Sequence, residues 1–256
     1  MDPSDPRAPA QEVWDGMSEP QRQLVVDSLP SDYPSTEAHP PEGDQHTEAV
    51  YEARSALRRF FGKLGRSIYV GTNLPVYYPA RAMFSPDVMA VLDVSTEARS
   101  SWIVSKEGKG LDFALEVLVL GARRKDLKRN VEEYARLGIR EYFVFDRPRL
   151  QLSGYRLREG GQSYQPIVPQ HGRFASEVLG LELRIEAGRL RFYLADAELP
   201  AADDLIAKLE GSLDDLEERV RASEERAEEE ARRAEVAEAR LREALAELER
   251  LKGEPR

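Results

Sequence analysis

The chain has 256 residues, a formal net charge of −10 at neutral pH and no cysteine. The lack of cysteine excludes disulfide bonds, thiolate zinc sites and cysteine nucleophiles. The acidic balance argues against a protein that coats nucleic acid through bulk positive charge. The three histidines are scattered, so carboxylate, carbonyl and water ligands favour Mg²⁺ or Mn²⁺ over zinc.

Residues 1–44 are rich in proline, serine and acids, which predicts a largely linker-like N-terminal segment. One short helix is expected within it, because Ser18 and Gln21 form a capping-box pattern and Pro30 ends the run. The polar start resembles no secretory signal, and no apolar run has the length of a membrane span. We therefore expect a cytoplasmic protein without membrane contact.

Residues 45–198 predict an α/β domain with a mixed sheet flanked by helices. A helical pattern from about His46 to Leu64 precedes several strand-like segments. The almost continuously apolar run LDFALEVLVL, ending at Gly121, is typical of a strand buried on both faces. A helix from about 123 to 137 and the strand REYFVFD follow, which predicts a parallel strand–helix–strand unit. Two hairpins are expected, with turns at 159–161 and 187–188.

Two acids interrupt the apolar strands. Asp87 lies in AMFSPDVMAVLDV, and Glu116 lies in LDFALEVLVL, just before the basic stretch ARRKDLKR. A buried acid is costly unless it is paired, protonated or bound to a cation. The two acids therefore indicate a metal site that faces a phosphate. The alternative is that both are strand-edge acids bonded to the backbone.

Other polar residues are candidates for the same site. His46 lies on the apolar face of the first long helix, either as a metal ligand or as a packing histidine. In the helix after Glu116, Asn130 shares the inner face with Tyr134, whereas Lys125 and Lys128 point toward solvent. Asp126, one turn before Asn130, could bond to it or join the metal shell.

Residues 199–256 carry a sustained heptad pattern. Apolar residues recur at seven-residue intervals from Ile206 to Leu248, flanked by Glu and Arg. This pattern predicts a C-terminal coiled-coil helix that joins copies of the chain into a homo-oligomer. The alternative is a solvated single helix held by charge pairs along its length.

The segments SPDVMAVLDV, LDFALEV, RRKDLKRNVEEYARLGIREYFVFD, the LSGYRL hairpin and SEVLGLELRIEAGRLRFY, in this order, resemble the Uma2 family of proposed restriction endonucleases. This family is a branch of the PD-(D/E)XK nuclease superfamily, and the resemblance extends from His46 to Leu194. It implies a restriction-endonuclease-like sheet with Asp87 and Glu116 on adjacent strands as ligands of Mg²⁺ or Mn²⁺. It also implies that the partner is DNA and that the reaction is phosphodiester hydrolysis.

The chain departs from the family pattern at its lysines. The superfamily motif places lysine two residues after the glutamate, where this chain has Leu118, and family members usually carry it at the position of Asn130. The catalytic candidates are therefore Asp87, Glu116, Asn130, Lys128 and Lys125, and the metal-ligand candidates are Asp87, Glu116 and His46. Three functions stay open: a metal-dependent DNA endonuclease, a catalytically degenerate nuclease fold for nucleic-acid binding or assembly, and a coiled-coil scaffold.

Overall fold

The computed structural model describes residues 6–31, 43–119 and 124–253, and the chain divides into two compact units, 1–202 and 203–256. The helices are α1 (Gln11–Asp15), α2 (Glu19–Ser28), α3 (Gly43–Lys63), α4 (Val104–Glu107), α5 (Arg124–Arg136) and α6 (Ala202–Gly253). The strands are β1 (Ile68–Gly71), β2 (Val76–Tyr77), β3 (Val88–Leu92), β4 (Trp102–Ile103), β5 (Phe113–Leu118), β6 (Glu141–Asp146), β7 (Gln151–Leu157), β8 (Tyr164–Pro166), β9 (Phe174–Ser176), β10 (Leu181–Glu186), β11 (Arg189–Leu194) and β12 (Ala197–Glu198).

The central element of the first unit is a six-stranded sheet in the order β1-β3-β5-β6-β7-β8. Strands β5 and β6 are parallel and are joined through α5, as the strand–helix–strand pattern predicted. All other neighbouring strands in this sheet are antiparallel. The mixed α/β fold with flanking helices is thereby confirmed.

Strand β5 is buried on both faces, which explains its continuous apolar sequence. Phe113, Leu115 and Val117 join a core cluster that also contains the buried face of α3. Ala114 and Leu118 point the other way, into a second cluster that includes Tyr134 of α5. Because side chains alternate along a strand, Glu116 belongs to the set that faces α5.

Helix α5 ends where the sequence predicted, since Gly138 has φ +78° in the left-handed region that favours glycine. The predicted strand end at Gly121 and the predicted helix start at about residue 123 lie outside the described residues. The next strand, β6, begins at Glu141, three residues beyond Gly138.

The remaining strands differ from the prediction of one mixed sheet. The two predicted hairpins, β7–β8 and β10–β11, are both present. However, β9 to β12 form a separate four-stranded sheet in the order β12-β11-β10-β9. Its buried side chains, among them Leu183 and Phe192, pack in the α3-side cluster, so α3 and this second sheet share one face of the central sheet.

The N-terminal segment contains more structure than the sequence predicted. Helix α2 begins with the expected capping box at Ser18 and Gln21, but the preceding helix α1 was not predicted. Ala8 and Leu29 pack with Tyr77 of β2 and Ile103 of β4, a short parallel pair. Residues 6–31 are thus attached to the domain rather than linker-like, although the predicted domain limits themselves stay predictions.

The second unit is formed by α6, and its long helix is confirmed. The apolar heptad residues are exposed along the described part of the helix, among them Ile206, Leu209, Leu213, Leu216, Val220 and Leu241. Pairing of this helix with another chain stays a prediction. In the part of the chain that the structure describes, no helix combines the length and apolar character needed to cross a membrane.

Candidate metal centre

The two predicted acids lie opposite each other on neighbouring strands. Asp87 directly precedes β3, which pairs antiparallel with β5 in the register Val88 to Leu115 and Met89 to Ala114. Continued by one residue, this register places Asp87 opposite Glu116. The pairing explains how acids 29 positions apart in the sequence meet in one site.

The Asp87 carboxylate is held by two further groups. Its residue is only 8% exposed, and its Oδ2 atom accepts a hydrogen bond of 2.7 Å from the backbone N–H of Val117. The Nε2 atom of His46, which is 4% exposed in the first turns of α3, lies 3.2 Å from the same oxygen. The structure therefore brings His46 to the site, in contact with Asp87.

Glu116 lies against Asp87 on the α5 side of the sheet. The hydroxyl of Tyr134 donates a hydrogen bond of 3.0 Å to its Oε1 atom. The pKa of Glu116 is raised well above its ordinary value, first by burial and then by the charge of Asp87 and a hydrogen bond between the two carboxyls. The Tyr134 hydrogen bond opposes this rise but does not reverse it.

This arrangement would leave a negative charge unbalanced if both carboxyls were ionised. Two carboxylates in contact cannot both ionise unless a cation neutralises them, so the pair either shares a proton or binds a metal ion. Within the described residues, neither Asp87 nor Glu116 forms an ion pair with lysine or arginine. The positive partner is thus absent from the described side chains, apart from the titratable His46.

Tyrosines form the wall of the site on the α5 side. Tyr134 packs edge-to-face on Tyr142, with ring centroids 5.0 Å apart. Burial and the charge of Glu116 raise the pKa of both hydroxyls, so both stay protonated. The buried Tyr142 hydroxyl makes no well-formed hydrogen bond among the described residues, but the half-buried Asn130 lies beside it and partly offsets the rise in its pKa.

The predicted basic residues do not reach the acids where they are described. Lys128 is exposed, as its position on α5 predicted, and Leu118 packs into the apolar cluster on that side. The side chains of Lys125 and Asp126 lie outside the described residues. Asn130 is near the site, through Tyr142, and its catalytic role stays a prediction.

An arginine that the sequence reasoning missed anchors the first turn of α3, which carries His46. Arg147 follows β6, and its guanidinium donates to the backbone carbonyl of Gln45 and lies 3.6 Å from Glu48. Its backbone N–H donates to the carbonyl of Leu118, so α3 is tied to the ends of β5 and β6. Arg147 therefore helps to position His46 over Asp87.

The sequence reasoning also missed the hydroxyl of Tyr134 as a site group. The helical period predicts Tyr134 on the inner face of α5, and its side chain is indeed buried. The available signal was the polar Asn130 one turn earlier on the same face, which indicated that this face is not purely apolar.

The donor set suits a hard cation that keeps part of its water shell. In the described ranges, no three His, Cys, Asp or Glu side chains form a complete metal-binding group. The contacts are pairwise instead, His46 with Asp87 and Asp87 with Glu116. Two carboxylates plus water is a coordination that Mg²⁺ adopts, whereas a structural zinc site needs four protein ligands.

The fold is a mixed α/β sheet flanked by helices, and its two buried acids meet on neighbouring strands. A family model described as "Putative restriction endonuclease" matches residues 35–188, which is more than half of the chain. The chain belongs to this family, Uma2. A solved structure described as a putative nuclease belonging to DUF820, from Anabaena variabilis, is similar with 14% sequence identity and a TM-score of 0.43, and the alignment covers 57% of this chain and 87% of that one. No curated protein matches the chain.

Proposed function

We propose that this protein is a metal-dependent endonuclease that hydrolyses DNA phosphodiester bonds with Mg²⁺ or Mn²⁺ held by Asp87 and Glu116. The observation that supports this proposal is the contact between the two carboxyls, which lack a lysine or arginine partner among the described residues. A divalent cation would remove their repulsion and the cost of their burial together.

The side chains around the acids would keep them in a coordinating geometry. The Val117 N–H and His46 hold Asp87, and the Tyr134 hydroxyl holds Glu116. Hydrogen bonds to ligating carboxylates orient them and tune their basicity. When bound, the cation supplies charge neutralisation at the phosphate and a water of lowered pKa. We include His46 as a further ligand in this proposal, because its Nε2 atom lies 3.2 Å from the Oδ2 atom of Asp87.

The raised pKa of Glu116 gives this site a pH dependence. Glu116 must lose its proton to act as a ligand, so cation affinity rises with pH. The rise ends at the pH where Glu116 is already ionised in the metal-free protein. Activity limited by this step should rise over the same range.

The experiment is cleavage of supercoiled plasmid in Mg²⁺ or Mn²⁺ by the wild type, Asp87→Asn and Glu116→Gln. Each substitution removes a ligand charge without changing side-chain size, and we expect cleavage to fall on the order of 10³-fold. Asp93→Asn is the matched control, because Asp93 is an exposed aspartate at the opposite end of β3. Cleavage that persists in both site variants, or that needs no metal, would contradict the proposal.

A catalytically degenerate nuclease fold is the second candidate. It is supported by Leu118 in the apolar cluster, by the exposure of Lys128 and by Asn130 beside Tyr142, which together leave no described lysine near Glu116. This candidate predicts DNA binding in EDTA and no cleavage with any metal. Metal-dependent cleavage that is lost in Glu116→Gln would exclude it.

The exposed heptad residues of α6 support a homo-oligomer formed with a second copy of the chain. Two sites in one assembly could cut both DNA strands. We expect Leu213→Glu, at a core heptad position, to lower the oligomeric state measured by light scattering and to reduce double-strand cleavage more than nicking. Ala207→Glu places the same charge on the outer face of the helix and should change neither quantity. Equal loss of nicking and double-strand cleavage would count against this role.

A further inference from the structure

A cavity of about 310 Å³ lies between α3, β1 and the loop that follows β3. Its polar lining consists of Arg54, Arg58, Tyr69, Thr72, Thr96 and Arg99. None of the residues that line it is acidic. Three guanidinium groups and three hydroxyls without a carboxylate form a lining of hydrogen-bond donors suited to an anion.

Arg54 and Arg58 lie one helical turn apart on α3, so they share one face of that helix. The Nε atom of Arg54 is buried and has no hydrogen-bond partner in the part of the chain that the structure describes. A buried donor left without an acceptor is costly, and a charged donor more so. Arg58 is exposed at the cavity and forms no ion pair with any described residue.

Arg99 differs from the other two because its charge is already matched. Its guanidinium bonds to both carboxylate oxygens of Glu107, at 2.8 and 2.9 Å. It also stacks over the rings of Tyr69 and Trp102, at 4.7 and 4.9 Å from their centroids. Arg99 is thus a fixed wall of the cavity, and the unmatched positive charge belongs to Arg54 and Arg58.

The cavity is linked to the acid pair through the backbone of the loop that follows β1. Thr72 precedes Asn73, whose backbone N–H donates to the carbonyls of Pro86 and Asp87, at 3.1 and 3.3 Å. Along α3, His46 and Arg54 are eight residues apart, which corresponds to about 12 Å of helix axis. That distance is on the scale of three to four nucleotides, at about 3.4 Å per nucleotide in one strand.

We propose that this cavity binds a phosphate group of the DNA backbone, with Arg54 and Arg58 as its donors, several nucleotides away from the cleaved bond. The assignment of DNA as the source rests on the proposed nuclease function, whereas the phosphate chemistry rests on the cavity alone. The exposed guanidinium of Arg58 would donate to the phosphate at the mouth of the cavity, and the partly buried guanidinium of Arg54 would donate from the cavity wall.

The test measures binding of fluorescent duplex and single-stranded oligonucleotides in EDTA, with every protein carrying Glu116→Gln so that no cleavage occurs. We expect Arg54→Gln and Arg58→Gln each to weaken binding about tenfold, as loss of one charged hydrogen bond does. The slope of log affinity against log salt should fall by about 0.9 for duplex DNA. Lys63→Gln, which removes an exposed charge from the last turn of the same helix, is the control and should bind as the parent protein does.

A parallel measurement separates the possible sources of the phosphate. The thermal unfolding midpoint of the same variants is followed in inorganic phosphate and in thymidine monophosphate. Stabilisation that requires Arg54 and Arg58, together with unchanged oligonucleotide affinity, would overturn the DNA assignment in favour of a small phosphate compound. Equal affinity and equal midpoints in all variants would overturn the site itself, as would an equal loss of affinity in Lys63→Gln.

Should Arg54→Gln fail to fold, Arg58→Gln carries the result because its side chain is exposed, and Arg54→Lys should bind more weakly than the parent since lysine lacks the buried Nε donor. Because binding is measured without metal or cleavage, failure of the nuclease proposal leaves the outcome readable.

Discussion

Two glutamates on adjacent strands, Glu116 of β5 and Glu141 of β6, have their carboxyls within the protein, but different groups contact the two carboxyls. Glu141 is 0% exposed, and its Oε1 atom bonds to Arg156 at 2.8 Å and to the backbone N–H of Glu177 at 2.9 Å. Its other oxygen accepts from the hydroxyl of Ser176. Glu116 instead contacts a tyrosine hydroxyl and a second acid.

The comparison shows that burial of an acid does not by itself mark a functional site. Glu141 has one cationic donor and two further hydrogen-bond donors, so its charge is balanced inside the protein and its role is structural. Glu116 has donors but no described lysine or arginine, so the balance of its charge must come from a proton or from a bound ion. The two sites differ because no described lysine or arginine pairs with Glu116.

The largest effect is expected from removal of the cation at the structural site. Arg156→Gln leaves Glu141 buried without its ion pair, so we expect the free energy of unfolding to fall by about 3–5 kcal/mol. Urea denaturation measures it. Arg136→Gln is the control, because its pair with Glu132 is exposed and should contribute less than about 1 kcal/mol. If both substitutions lowered the free energy of unfolding equally, the Arg156–Glu141 pair would be no more important than an exposed pair.

Binding of a cation at the acid pair should raise the free energy of unfolding. With Mg²⁺ or Mn²⁺ at about 100 times its dissociation constant, we expect the wild type to gain about 2.7 kcal/mol. Each kcal/mol corresponds to a rise of about 2–4 °C in the thermal midpoint for a chain of this size. Glu116→Gln should lose most of this gain, and Asp93→Asn should keep it. If metal stabilised Glu116→Gln as much as the wild type, the ion would have to bind at a different site.

The raised pKa of Glu116 predicts a pH effect on stability without metal. Because the folded state holds the proton more tightly than the unfolded state, this stabilisation is complete below the ordinary pKa of 4.5 and is lost as pH rises through the raised folded pKa. Gln does not titrate, so Glu116→Gln should become more stable than the wild type as pH rises across that window. Thermal melts in EDTA measure the difference, and a gap that does not change with pH would contradict the prediction.

The smallest effect is expected at the tyrosine that supports Glu116. Tyr134→Phe removes one hydrogen bond to the carboxyl, which is worth about 0.5–1.5 kcal/mol, and it should raise the pKa of Glu116 further. Metal titration at neutral pH should then show weaker binding. Tyr155→Phe is the control, because Tyr155 stacks in the same aromatic group without a hydroxyl contact to Glu116. Equal metal affinity of both variants would show that Tyr134 does not tune the site.

Much of the site was predictable because its signals are local. An acid in an otherwise apolar strand is visible in the sequence, and the helical period placed His46 and Asn130 on inner faces. Glu141 carried a similar signal at the start of the buried strand β6, yet its partners come from β7, Ser176 and Glu177. These contacts depend on strand pairing and loop placement, which no local period encodes.

The sequence by itself determined the strand–helix–strand unit, the two hairpins, the long heptad helix and the two acids, since side-chain periodicity and turn residues act over a few positions. Tertiary structure decided which buried acid is paired and which is not. It set the register that brings Asp87 to Glu116, separated the second sheet from the first, and gathered Arg54, Arg58 and Arg99 around one cavity. These outcomes depend on packing between distant segments, where one residue of strand register turns a side chain to the opposite face.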